Sequence, residues 1–326
     1  MTEIFIKHYG VEPTSICQLS GSGSNRIYYR LTHPDGYSVI GVRGTLQREN
    51  HAFITMARHF KSLNLNTPEL IAVSHDEMTY LQQDLGNIAL FDVLKPHIGN
   101  WHKEKSAASI NIIKTTLNLL AHFQITAHKG MDYSVCFPVR ELDKRSIMWD
   151  LNYFKYCYLK LAGIEFDESA LEDNFENLCH ELLTRMTVRG FMYRDFQSRN
   201  VMLTDGKPMF IDFQGGRYGP LIYDVVSFLW QARLQLPDDL RTLLFEEYLE
   251  DLRREQSNIN KQALIDDLPY WVFFRNLQVL GAYGFRGYYE KKQHFLESIK
   301  PALDNIKKQT IITQYPAIAH CLINQQ

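Results

Sequence analysis

The chain has 326 residues, 45% hydrophobic and 22% charged, enough for one large domain or two modest lobes around a cleft. Its 35 basic and 37 acidic side chains nearly cancel, so no global field draws it to nucleic acid or an anionic lipid surface. Five scattered cysteines without CxxC or zinc spacing argue against a disulfide framework and a structural zinc site.

"MTEIFIKHYG" lacks the basic start and apolar run of a signal peptide, so a cytoplasmic location is the expectation. After it, "TSICQLS" and "RIYYRLT" are strand candidates separated by the glycine-serine turn "GSGSN". "HPDG" is a turn, and "YSVIGVRG" returns as a third strand. "QRENHAFITMARHF" has helical spacing, with His51, Ile54, Ala57 and Arg58 near one face. "PELIAVS" and "MTYLQQDLG" complete a small β-rich lobe, residues 1–87. From residue 88 to 326 the pattern is mostly helical, which makes the whole an α+β fold with a hinge near residues 84–88. "INIIKTTLNLLAHFQITAH", "SIMWDLNYFKYCYLKLAG" and "SALEDNFENLCHELLTRM" read as helices, the last with Ser169 as N-cap. "NVMLTDGKPMFID" reads as a hairpin turning at Asp205-Gly206, and helices resume with "LIYDVVSFLWQAR". The apolar stretch "WVFFRNLQVLGAYGF" is too short and too interrupted by Arg275, Asn276 and Gln278 to span a bilayer.

The density of polar groups in "YRDFQSRNVML" (193–203), followed by "FIDFQGG", is what a loop handling phosphate and metal requires. Asp195 and Asn200 have the D-x-x-x-x-N spacing of a kinase catalytic loop, with Tyr193-Arg194-Asp195 in the place of His-Arg-Asp. A carboxylate can orient a hydroxyl and accept its proton, and an asparagine offers a neutral oxygen to magnesium. Asp212 adds a second carboxylate at a strand end. Alone, Asp195 reads as a cap or turn residue; with Asn200 and Asp212 around one hairpin it reads as chemistry. Gly21, Ser22, Gly23, Ser24 and Arg26 fit a loop over nucleotide phosphates, with a plain hairpin turn as the competing reading. Tyr153, Tyr156 and Tyr158 beside Trp149 fit either a sugar platform or an aromatic core stripe.

The stretch "FMYRDFQSRNVML…PMFIDFQGGRYGPLIYDVVSFL" resembles the aminoglycoside phosphotransferase and choline kinase-like superfamily. Within it, "IDFQGGRYGPLIYDVVSFLWQARLQLPDDL" and "RNLQVLG" are most similar to bacterial N-acetylmuramate/N-acetylglucosamine anomeric kinases. The resemblance implies a two-lobed protein-kinase-like fold, ATP and Mg2+, and a small-molecule hydroxyl acceptor. It makes Asp195 the catalytic base and Asn200 and Asp212 the metal ligands. It places Arg43 where protein kinases carry the strand-three lysine, with Glu49 as partner, and Gln82 to Asp84 at the adenine edge. Asp224 becomes a brace for the catalytic loop. Arg275, Asn276 and Gln278 either line the acceptor pocket or brace the second lobe.

A sugar or amino sugar is the first substrate class, and a choline/ethanolamine-type kinase is the alternative. A non-catalytic pseudokinase draws support from Tyr193 and the missing lysine, and is opposed by the retained Asp195, Asn200 and Asp212. Eleven residues between Asp212 and Asp224 leave no room for a protein kinase's activation loop. No nucleic acid, membrane or obligate protein partner is expected.

Overall fold

Alternating apolar side chains build a five-stranded antiparallel sheet in the first part of the computed structural model, which describes residues 1–19 and 26–323. The expected phosphate-loop residues Gly21, Ser22, Gly23 and Ser24 therefore lie outside the described residues. The strands are Ser15–Leu19 (β1), Ile27–Thr32 (β2), Ser38–Arg43 (β3), Leu70–Val73 (β4) and Thr79–Gln83 (β5), in the order β1-β2-β3-β5-β4.

Each face of this sheet is covered by one helix. Thr2–Tyr9 (α1) was not among the predicted elements, because eight residues are too few to establish a period. It buries Phe5 completely against Leu31, Val39 and Leu81. On the other face lies Gln47–Ser62 (α2), whose Phe53 stacks on Tyr80 at 4.6 Å. Its buried side includes Ala52, Phe53, Met56, Ala57 and Phe60, while His51 and Arg58 of the expected face are exposed.

The remainder is mainly helical: Leu90–Leu94 (α3), Ala107–His128 (α4), Lys144–Phe154 (α5), Glu168–Thr184 (α6), Ile222–Leu229 (α7), Asp238–Glu255 (α8), Lys261–Gly284 (α9), Gln293–Lys307 (α10) and Pro316–Ile323 (α11). Asp167, not Ser169, caps α6, its carboxylate accepting the Ala170 N–H at 2.8 Å. Two small antiparallel ribbons interrupt the helices. Arg189–Met192 (β6) pairs with Arg217–Pro220 (β9), and Val201–Thr204 (β7) with Lys207–Phe210 (β8). The β7–β8 turn falls at Asp205-Gly206 as predicted. Both residues have positive φ, 51° and 75°, the backbone of a tight two-residue hairpin.

One hydrophobic core runs from the sheet into the helices. Its centre is a pile of rings: Phe60 packs on Phe123 (4.9 Å), Phe191 (5.1 Å) and Phe213 (5.1 Å), and Phe213 stacks on Phe53 at 4.7 Å. Such pairs contribute roughly 0.5–1.5 kcal/mol each beyond area burial. They fasten α2 to the segment that carries Asp212. Farther on, α9 lies against the backbone of residues 153–158. A Cβ at Gly281 would stand 2.8 Å from the Tyr153 carbonyl carbon, and one at Gly284 2.0 Å from the Cys157 oxygen. Among the described residues no helix is long and apolar enough to cross a membrane.

Candidate active site

A cleft of about 670 Å3 opens between the sheet and the helical part, and its floor is the loop after β6 together with the segment after β8. Asp195, Asn200 and Asp212 all line it. Asn200 donates Nδ2 to the Asp195 carbonyl at 2.9 Å and approaches Asp212 at 3.4 Å. That leaves its Oδ1 as the atom a cation can use. Gln214, standing where the protein-kinase motif has glycine, donates to Asp212 Oδ1 at 2.7 Å, while its buried Oε1 has no hydrogen-bond partner among the described residues. The set is hard oxygen, one carboxylate and neutral amides. It suits a magnesium ion that completes its shell with waters and phosphate oxygens. No group of three or more His, Cys, Asp or Glu with metal-binding geometry occurs among the described residues.

The floor is held from behind. Asp224, fully buried, accepts the main-chain N–H of Tyr193 (2.7 Å) and Arg194 (2.9 Å) and the Gln124 amide (2.7 Å). Burial pushes its pKa up to about 7, against those three donors, which favour the charged form. The expected brace is thus made to the main chain of the loop. The Arg194 guanidinium turns elsewhere and meets both Asp150 oxygens at 2.7 Å. Arg217 is buried nearby, its pKa pushed down to about 10 by burial and by Arg194. Tyr193 replaces the usual histidine and donates its hydroxyl to the Ile211 carbonyl, tying the Asp195 loop to the Asp212 segment. These anchors hold Arg194 (φ 81°) and Asp212 (φ 67°) in left-handed backbone, a strain of about 1–3 kcal/mol per residue.

On the sheet side the expected pair of Arg43 and Glu49 is not formed. Arg43 is exposed and does not line the cleft. The reason is strand parity: Arg43 shares a face with Val39 and Gly41, the face covered by α1, whereas Ile40 and Val42 face α2. Arg26, just before β2, falls on the cleft face with Tyr28 instead. It is 4% exposed, lies 3.5 Å from a Glu49 carboxylate oxygen and stands over the Phe53 ring. Gln82 lines the cleft, but Asp84 does not. The Asp84 side chain is committed to Arg30 (2.5 Å), Ser38 (2.6 Å) and the Gly86 N–H (3.0 Å), which ties β2 and β3 to the connection between lobes.

The opposite wall is α9. Arg275, Gln278, Val279, Ala282 and Tyr283 recur at helical spacing along the cleft, continued by Arg286. Asn276, one position round the helix, turns away: it is buried, donates to the Val272 carbonyl at 2.8 Å and meets Asn305. Arg275 reaches the cleft floor, 3.5 Å from Asp195 Oδ1, and is fixed by Ser227 Oγ at 2.6 Å and by Gln278. Burial by itself would raise the Asp195 pKa. Arg275, Arg199, Arg194 and Arg217 outweigh it and hold the carboxyl below the ordinary aspartate value.

Of the tyrosine stripe only Tyr153 lines the cleft. Tyr158 is core, and Tyr156 and Trp149 are about half exposed. Tyr28, Tyr283 and Arg286 carried no motif by which the sequence marked them. Arg199 lies inside the 193–203 loop and lines the cleft, at a position to which the D-x-x-x-x-N spacing assigns no role.

Residues 15–257 match the phosphotransferase enzyme family. The chain belongs to that family. Among curated relatives it is 24% identical over 292 residues to the N-acetylmuramate/N-acetylglucosamine kinase of Neisseria meningitidis serogroup B, spanning 87% of this chain and 82% of that protein. It is 26% identical over 232 residues to the Pseudomonas aeruginosa protein of the same name, spanning 70% of this chain and 63% of that one. Among solved structures, amicoumacin kinase in complex with AMP-PNP, Ca2+ and Ami superposes with a TM-score of 0.66 at 12% identity, covering 94% of this chain and 92% of the other. The two-lobed kinase-like fold expected from the sequence is therefore the fold of this phosphotransferase.

Proposed function

We propose that this phosphotransferase moves the γ-phosphoryl group of ATP to a hydroxyl of a sugar or amino sugar. The observation that carries the reading is the convergence of Asp195, Asn200 and Asp212 on one cleft floor, with Arg26 on the nucleotide side and Arg275 on the acceptor side. The names of the two curated relatives support the sugar, and the AMP-PNP and Ca2+ held by amicoumacin kinase support a nucleotide with a divalent ion. We likewise place the division between lobes at residues 87 and 88. There the connection is clasped by β7 through the Leu203 N–H to the Ile88 carbonyl (2.9 Å) and Thr204 Oγ1 to the Leu85 carbonyl (3.1 Å).

In this reading Asp195 orients the acceptor hydroxyl and takes its proton as the oxygen attacks the γ-phosphorus and the bond to ADP breaks. Asp212 and Asn200 would hold a magnesium ion, which would supply neutralisation of phosphate charge. Arg26 adds a cation to the nucleotide side, kept in place by Glu49. A quaternary ammonium acceptor is disfavoured, because Arg199, Arg275 and Arg286 all border the acceptor space. The test is a panel of neutral, acidic and aminated hexoses against choline, ethanolamine and aminoglycosides, read by ADP release from the purified chain. Preferred turnover of choline would overturn the sugar assignment.

Two expected results follow from the walls of the cleft. Arg26→Ala raises the KM for ATP by roughly tenfold or more, the cost of one charge-assisted contact. Arg43→Ala stays within about twofold, as an exposed substitution should. Equal effects would return Arg43 to the nucleotide site. Arg275→Gln removes the cation nearest Asp195, so the Asp195 pKa rises. Because the protonated carboxyl is inactive as a base, the acidic limb of the kcat profile moves to higher pH; a limb that does not move would remove Arg275 from control of Asp195.

A further inference from the structure

The acceptor half of the cleft holds more positive charge than its carboxylates balance. Arg275 is opposed by Asp195 at 3.5 Å, and Arg286 by Glu290 at 2.5 Å, with Lys292 drawing on the same Glu290 at 2.9 Å. Arg199 lines the same space, is exposed, and has no hydrogen-bond or ion-pair partner among the described residues.

Its presentation is built into the loop. Arg199 is the middle residue of the short turn Ser198–Asn200. Ser198 is fully buried, its N–H (3.1 Å) and hydroxyl (2.8 Å) both bound to Gln231 Oε1, and Asn200 is held by the Asp195 carbonyl. With Ser198 pinned inward and Asn200 held against the floor, Arg199 is the exposed member of the turn and reaches into the cleft beside Asn200. The same cleft is lined by Tyr153, Val279, Tyr283 and Phe295, apolar and aromatic groups suited to a sugar face. His294, beside Phe295, is held below its ordinary pKa by burial and by Arg233, Lys292 and Arg199. A cleft lined by one sign of charge concentrates counter-ions, and the planar guanidinium fork matches a carboxylate.

We propose that Arg199 is a specificity-determining residue that binds an anionic group on the acceptor, and that the acceptor class is a carboxylate-bearing hexosamine in preference to a neutral one. This deepens the sugar phosphotransferase reading and rests on it. The other target within reach of the argument, the transferred phosphoryl group, would make Arg199 equally important for every acceptor.

The experiment compares N-acetylmuramate with N-acetylglucosamine as acceptors at saturating Mg-ATP, using the full chain and its Arg199→Gln and Arg199→Lys variants. The wild type is expected to favour the acid. Arg199→Gln should cut the ratio of the two kcat/KM values by about tenfold or more, mainly through the KM of the acid, the size of one charge-assisted bond. Arg199→Lys should keep part of the preference, because a point charge replaces part of the fork. Loss of rate by the same factor with both acceptors, or an unchanged ratio, overturns the inference while the sugar reading stands. Failure of the wild type to phosphorylate either acceptor overturns both.

Discussion

Asp212→Asn is expected to lower phosphoryl transfer by at least about two orders of magnitude with little change in fold, the scale of a lost electrostatic contact in a reacting site. Asparagine is the informative replacement because Asp212 sits at φ 67°, a left-handed conformation that aspartate and asparagine tolerate better than most residues. It keeps the shape and an oxygen for the Gln214 amide, now 2.7 Å from Asp212, and removes only the negative charge. Alanine would add backbone strain of about 1–2 kcal/mol and confuse stability with chemistry. The measurement is turnover across a magnesium titration, beside a thermal melt. Normal turnover at ordinary magnesium would remove Asp212 from the metal site and with it the proposed reaction.

Asp195→Asn should leave ATP binding intact and lower kcat by roughly two to four orders of magnitude, the range for a lost general base. The side chain is nearly isosteric and opens into the cleft, 48% exposed, so packing changes little. Arg275 loses its carboxylate partner but keeps Ser227 and Gln278, which prevents an orphaned buried guanidinium. A kcat that stays level while the acceptor KM rises would mean that Asp195 only positions the substrate.

The order of strands and helices was legible because each element carries its period, and the β7–β8 turn because Asp-Gly supplies two residues that accept positive φ. The floor of the cleft was legible for a related reason. Asp195, Asn200 and Asp212 lie close in sequence around one hairpin, so their spacing already implied their meeting. What failed depended on a single step of parity. Arg43 was placed by analogy with a strand-three lysine, but it stands on the α1 face, and a helix as short as α1 left no period to reveal that the face was covered. Arg26 stands at the edge of the quoted loop, and only the pairing of Tyr28 with Val42 shows that it faces the cleft. Asn276 was lost in the same way, one residue round α9 from Arg275. The acceptor wall was legible only in part: Tyr153, Arg275 and Gln278 were candidates, whereas Tyr283 and Arg286 carry no local signature and join them only after α9 packs through Gly281 and Gly284 on the backbone of residues 153–158.

Phosphorus NMR of the purified chain with Mg-ATP and an N-acetylated hexosamine tests the central claim most directly. The account predicts a growing sugar-phosphate resonance that matches the loss of the ATP γ-signal and is absent with Asp195→Asn. Inorganic phosphate as the sole new product, or phosphocholine formed from choline while the sugars stay unmodified, would contradict it.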